Sequence, residues 1–124
     1  MADAKLQELQ GRYGQINLSD RSKWSNQTLN FTRELGNMLI LARVITLGAL
    51  QRNESRGAHY KPEFQLPEPK TKDPTQDPDW MKAWKERHQK WAKTTIARWT
   101  PQGSDITYED IPTPVLDPEP RWYA

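Results

Sequence analysis

The sequence predicts a mainly α protein with a short β-hairpin and an extended C-terminal tail. Three observations lead there. From Phe31, apolar or small residues recur at Leu35, Met38, Ala42, Ile45 and Ala49, alternating steps of four and three, the seam of a helix packed lengthwise on another helix. Trp80, Trp84 and Trp91 fall at i, i+4 and i+11, on one face of a second helix. Between the two lies a stretch with five prolines, which removes backbone donors and disfavours helix. At 124 residues the chain is the size of one small domain. Its hydrophobic fraction of 35% is low and concentrated in one helix, so a complete core within the chain is not expected.

Taken in order, Leu6, Leu9 and Tyr13 give Ala4 to Gly14 a helical spacing with no clear cap at its start, as expected for the tail of a longer helix. Gly14 is a candidate terminator. Ile16 to Lys23 reads as a connector rich in turn formers. Ser25 or Asn26 is a suitable N-cap for the long helix, with Trp24 placed to staple onto its first turn near Leu29. That helix is expected over residues 25–52, with Arg52 at the negative end of its macrodipole. Ile40, Leu41, Val44, Leu47 and Leu50 point away from the seam, so the helix is apolar nearly all round and should be buried on several faces. It is not a membrane span: Met38 to Leu50 is shorter than the roughly 20 apolar residues needed, and Arg43 interrupts it. Residues 1–60 therefore form a helical segment.

Residues 61–124 hold the remaining elements. Tyr60 to Asp79 reads as an extended arm with Phe64 and Leu66 as anchors, either laid across a partner or acting as a plain linker. A short helix follows over 79–93, capped by Asp77 or Asp79. Its Trp stripe with Lys82, Lys85, Arg87 and Lys90 around it reads as packing surface with a solvated charged face, in preference to a single-stranded nucleic-acid platform. Thr94, Thr95, Ile96 and Trp99, then Ile106, Thr107 and Tyr108, favour a hairpin over about 93–111 around the turn chemistry of Pro101 to Asp105. The tail from Pro112 carries four prolines and ends in an aromatic foot, Arg121-Trp122-Tyr123.

Few chemistries survive this reading. There is no Cys, which excludes a disulfide scaffold, an iron–sulfur cluster and a Cys-ligated zinc within the chain. His59 and His88 lie on different elements without a second ligand at helical spacing, so no metal site is expected. Ser55, His59 and Glu63 lack a nucleophile elbow and do not make a hydrolase. A net charge of +2 gives no argument for nucleic acid. Asn26, Asn30 and Asn53 match glycosylation sequons, read as chance because no signal peptide precedes them. The densest polar cluster is the loop Arg52 to Lys61. It reads either as a helix cap in which Glu54 pairs with an arginine, or as a docking loop presenting Arg56 to another domain.

The stretches Ser22-Lys23-Trp24-Ser25-Asn26-Gln27, Phe31 to Leu35 and Ala42 to Phe64, with Glu54-Ser55-Arg56-Gly57 at their centre, closely resemble the flavoprotein subunits of the succinate dehydrogenase and fumarate reductase family. L-Aspartate oxidase is similar, more distantly, in the same Glu-Ser-Arg-Gly signature. Trp91 to Ala97, Ile106 to Glu109 and the Arg121-Trp122-Tyr123 end resemble later family segments, while Gln65 to Gln89 departs from the family pattern. The resemblance implies a partial three-helix up-and-down, spectrin-repeat-like bundle, the C-terminal domain of a larger subunit that oxidises succinate to fumarate through covalently bound FAD. It implies electrons passed to an iron–sulfur subunit and a quinone, and a place at the inner, cytoplasmic face of the cell membrane. The flavin-attachment His, the dinucleotide fingerprint and the proton-delivering Arg have no counterpart here. No catalytic, cofactor-binding or metal residue is therefore carried over, and the chain alone is expected to be inactive. Glu54, Ser55, Arg56, Gly57 and His59 are carried over as an inter-domain contact loop toward upstream flavin-binding and capping domains. The alternative is a free-standing helical adaptor, and self-association is the expected way to hide the apolar helix.

Overall fold

A computed structural model describes residues 1–101, 103–112 and 116–122. Among these residues the protein is mainly α, with three helices and one two-stranded antiparallel sheet. The elements are α1 (Ala2–Tyr13), α2 (Gln27–Gln51), α3 (Pro78–Trp91), β1 (Lys93–Thr100) and β2 (Gly103–Asp110), with 3-10 turns at Pro62–Phe64 and Pro74–Gln76. Two compact units result. The first holds Met1–Gln51 with the hairpin tip Trp99–Ser104; the second holds Arg52–Arg98 with the described residues from Asp105 on.

In the first unit, α1 and α2 pack antiparallel. Tyr13 lies against Gly36, Gln10 Nε2 reaches the Leu39 carbonyl at 3.5 Å, and Arg43 Nε donates to Asp3 Oδ1 at 2.8 Å. That guanidinium holds the Asp3 carboxyl below its usual range. The face of α2 meeting α1 therefore carries Gly36, Leu39 and Arg43, not the seam that starts at Phe31. The reason is steric: a side-chain carbon at position 36 would sit 2.6 Å from the Tyr13 hydroxyl, so only glycine lets the ring in. Burial of α2 on several faces is not reached within the described residues. No described α2 residue is buried, and Phe31, Met38, Leu41 and Ile45 are exposed, because α1 covers a single side. Gly36→Leu is expected to cost about 1–3 kcal/mol by overpacking, read as a lower urea midpoint; an unchanged midpoint would mean that Tyr13 simply swings away.

Asn26 organises the entry to α2. Its Oδ1 accepts from the Leu29 amide at 2.8 Å, which is the N-cap bond. Its Nδ2 donates to the carbonyls of Asp20 and Ser22 at 3.1 and 3.2 Å. The expected Trp24 staple does not form. Ser25 takes a left-handed φ of 50°, the chain turns there, and Trp24 stays 88% exposed.

In the second unit, Asp77 caps α3, with Pro78 at the first helical position. Its Oδ1 accepts from the Trp80 amide at 3.2 Å and its Oδ2 from the Lys70 amide at 2.8 Å, so one carboxylate ties the arm to the helix. Those backbone donors keep its pKa low. The arm is laid across its own chain: Trp80 Nε1 donates to the Pro67 carbonyl at 2.8 Å. The Trp stripe is packing surface here, with Trp80 and Trp91 buried. The hairpin continues from α3, and Trp91 meets Tyr108 of β2 edge-on, ring centroids 5.6 Å apart. Gln102, residues 113–115, Tyr123 and Ala124 lie outside the described residues, which leaves part of the expected turn, tail and aromatic foot undescribed.

Candidate functional site

The loop after α2 is built around a buried carboxylate. Glu54 has no solvent exposure. Arg52 grips its Oε1 through Nε at 2.6 Å and Nη2 at 2.5 Å, and Arg56 Nε holds Oε2 at 2.9 Å. Arg52, expected in the last turn of α2 at the negative end of its macrodipole, follows the last helical residue, Gln51, and its guanidinium is spent on Glu54. Its Nη2 also donates to the Trp91 carbonyl at 2.6 Å and its Nη1 to the Lys93 carbonyl and Thr95 Oγ1, both at 3.1 Å. The guanidinium lies 5.5 Å from the Trp91 ring centroid as well. A desolvated carboxylate outcompetes a helix end for this cation, because charged hydrogen bonds in a dry setting outweigh a solvated dipole.

The rest of the loop closes on itself. Arg56 and His59 exchange both backbone hydrogen bonds, at 2.8 and 3.0 Å, around Gly57-Ala58. Gly57 has φ 56°, the left-handed value that the first central residue of such a tight turn requires. Ser55 Oγ donates to the Lys61 carbonyl at 2.6 Å and accepts from the Lys61 amide at 2.8 Å. His59 Nε2 lies 3.0 Å from the Arg52 carbonyl, which only accepts, so this nitrogen carries the proton. Ser55 and His59 are both spent on the backbone, and they are not arranged as nucleophile and base. The described residues contain no cluster of His, Cys, Asp and Glu that would hold a metal.

Arg56 reaches a second element: its Nη1 lies 3.3 Å from His88 Nδ1 on α3. His88 stacks on Trp84, centroids 5.0 Å apart. Accepting from a guanidinium requires neutral His88. Burial, and then the Arg56 charge, push its pKa below the ordinary value, against a smaller opposing pull from Glu54. The unfolded chain thus binds the His88 proton more readily than the folded one. The stability contributed by neutral His88 is full above the ordinary histidine value of about 6.5 and is lost as pH falls through it toward the folded value. Thermal stability is expected to drop between about pH 7 and pH 5, and His88→Gln to remove most of that slope; an equal slope in the variant would sink the assignment.

Loop, arm, α3 and tail together enclose a cleft of about 510 Å³. Its walls carry Arg56 and His59 from the loop, Trp84 and Arg87 from α3, and Arg121 and Trp122 from the tail. Sequence reasoning picked out the loop residues Glu54, Ser55, Arg56, Gly57 and His59, which the structure brings together. It passed over Arg87, His88 and Arg121 as site residues. The available signal was the step of three from Trp84 to Arg87, which puts that cation on the aromatic side of α3.

A family model described as fumarate reductase flavoprotein C-term matches residues 1–123, and the chain belongs to that family. It is 42% identical over 124 residues to the succinate dehydrogenase flavoprotein subunit of Bacillus subtilis (strain 168), covering 98% of this chain and 18% of that protein. It is 32% identical over 121 residues to the fumarate reductase flavoprotein subunit of Serratia sp. (strain ATCC 39006), covering 97% and 17%. A shorter match, 42% over 57 residues, joins it to the fumarate reductase flavoprotein subunit of Escherichia coli (strain K12), covering 46% and 10%. The chain thus spans less than a fifth of the length of these relatives. No solved structure matches it.

The described residues do not fit a flavin site. A dinucleotide's pyrophosphate needs free amides at a helix N-terminus behind a glycine-rich turn. Among the described residues no glycine-rich turn leads into a helix, and one first-turn amide each of α2 (Leu29) and α3 (Trp80) is already taken by Asn26 and Asp77. No described helix is long and apolar enough to cross a membrane.

Proposed function

We propose that this chain is the C-terminal structural and docking part of an FAD-dependent flavoprotein that oxidises succinate to fumarate. Residues 1–60 supply the helical segment, with α1 and α2 as two members of a three-helix up-and-down bundle. Residues 61–124 supply the arm, short helix, hairpin and tail. The chain is inactive alone, because the flavin and the reacting groups belong to upstream flavin-binding and capping domains. The parent subunit passes electrons to an iron–sulfur subunit and a quinone, peripheral to the inner face of the cell membrane. Apart from its parent, the chain hides the exposed face of α2 by self-association.

One observation carries the docking role. The loop Glu54, Ser55, Arg56, Gly57 and His59 is fixed from within by a buried carboxylate, yet the Arg56 side chain remains 42% exposed. A rigid loop presenting a guanidinium is preorganised for contact, since little entropy is lost when it docks. In the full-length subunit, Arg56→Ala is expected to weaken domain docking about tenfold or more, the scale of one charged hydrogen bond. It should affect helix stability less, because Arg52 still holds Glu54. Limited proteolysis and activity together check this; unchanged assembly and activity would count against the loop.

A further inference from the structure

Arg87 is a poorly partnered charge on the cleft wall. The residue is half-buried, and its hydrogen bond to the Phe64 carbonyl is long at 3.4 Å. It has no ion pair among the described residues, and neither has Arg121. Glu54 makes no hydrogen bond to it and acts only through space, because both carboxylate oxygens are taken by Arg52 and Arg56. Burial draws the Arg87 pKa below the usual arginine value, with Glu54 opposing and Arg56 adding to the shift. A guanidinium in that setting is stabilised by an incoming anion. Among the described residues the only acid on the cleft wall is Glu119, against Arg56, Arg87 and Arg121; Glu119 and Arg121 are exposed.

The cleft also has apolar walls. Trp84 and Trp122 line it, and Trp122 packs edge-on to buried Trp80 with centroids 6.4 Å apart. A volume of about 510 Å³ is far more than a lone carboxylate fills. We propose that this cleft receives an Asp or Glu side chain borne on a peptide segment of the same subunit's upstream domains, the carboxylate on Arg87 and Arg121 and its flanking residue against Trp84. The occupant follows from charge complementarity and from continuity with the docking loop, since Arg56 and His59 line the same cleft. The inference rests on the docking reading and names the chemistry of its partner.

Zero-length cross-linking reads the occupant directly. Arg87→Lys is introduced into the full-length subunit, and a carbodiimide is added to join a lysine amine to any carboxylate in contact. The expected product is an amide between position 87 and an Asp or Glu outside the 124 residues of this chain, with no such product from Arg98→Lys on the exposed part of β1. Arg121→Lys is run in parallel, so that a folding failure of one variant does not end the test. A link only to Glu54 or Glu119, a link to another subunit, no link from either position, or capture of added free succinate in its place would each overturn the inference. Two failures separate cleanly. If Arg56→Ala disrupts docking but no link forms, the cleft inference alone is wrong. If the link forms while Arg56→Ala docks normally, the cleft stands and the role of the loop falls.

Discussion

Glu54→Ala is expected to destabilise the chain by about 3–5 kcal/mol, the cost of leaving buried charge without its partner. The carboxylate is fully buried and receives three guanidinium contacts from two arginines. Its removal strands Arg52, whose side chain is only 19% exposed. The surviving contacts of Arg52 run to backbone carbonyls and a hydroxyl, which accept hydrogen bonds but do not neutralise a cation. Glu54→Gln separates charge from shape. It keeps the volume but offers one acceptor oxygen and an amide that would face a donor. The glutamine variant should therefore lose a large share of the same stability, in urea unfolding followed by Trp fluorescence. A glutamine variant as stable as the parent would mean that the site needs only a filled space.

Trp91→Ala ranks with it, at about 3–5 kcal/mol for a large aromatic removed from a packed interior. Trp91 is 9% exposed, lies edge-on to Tyr108 and lies within cation–π distance of Arg52. Deleting the indole opens a cavity at the junction of α3 and β1. Trp99→Ala provides the comparison: that side chain is 74% exposed, and its loss should fall within about 0.5 kcal/mol of zero. Equal effects at the two positions would contradict the burial described here. The Glu54 and Trp91 substitutions both act on Arg52, so their combination should cost less than the sum.

These effects sit where local sequence rules gave out. The existence of α3 was legible because its signals are local: Asp77 or Asp79 as a cap, then a Trp recurring at helical spacing. The hairpin was legible from its β-branched runs for the same reason. The pairing face of α2 was not, because the long helix is apolar on several sides and periodicity cannot rank equivalent stripes. What decided it was a glycine, whose missing side chain admits Tyr13. Arg52 was assigned to the last turn of the helix; the pairing of Glu54 with an arginine was one of the two readings of the loop, and it is the one that Arg52 and Arg56 realise. In the site, the Glu54 to His59 cluster was visible as a run of polar residues. Arg87 and Arg121 were not, since they come from elements far along the chain and only folding places them in one cleft. The arm was open between linker and peptide arm, and it took its own α3 as the surface to cross.

Arg52 also restricts what evolution or an engineer can place there. Its three nitrogens serve a carboxylate, two carbonyls and a hydroxyl that lie in different directions from one planar group. Lysine carries the same charge, but its donors radiate from a single nitrogen and do not span those acceptors. A swap that scores as conservative by charge would leave several of them unmet, so position 52 admits one side chain where charge alone would admit two.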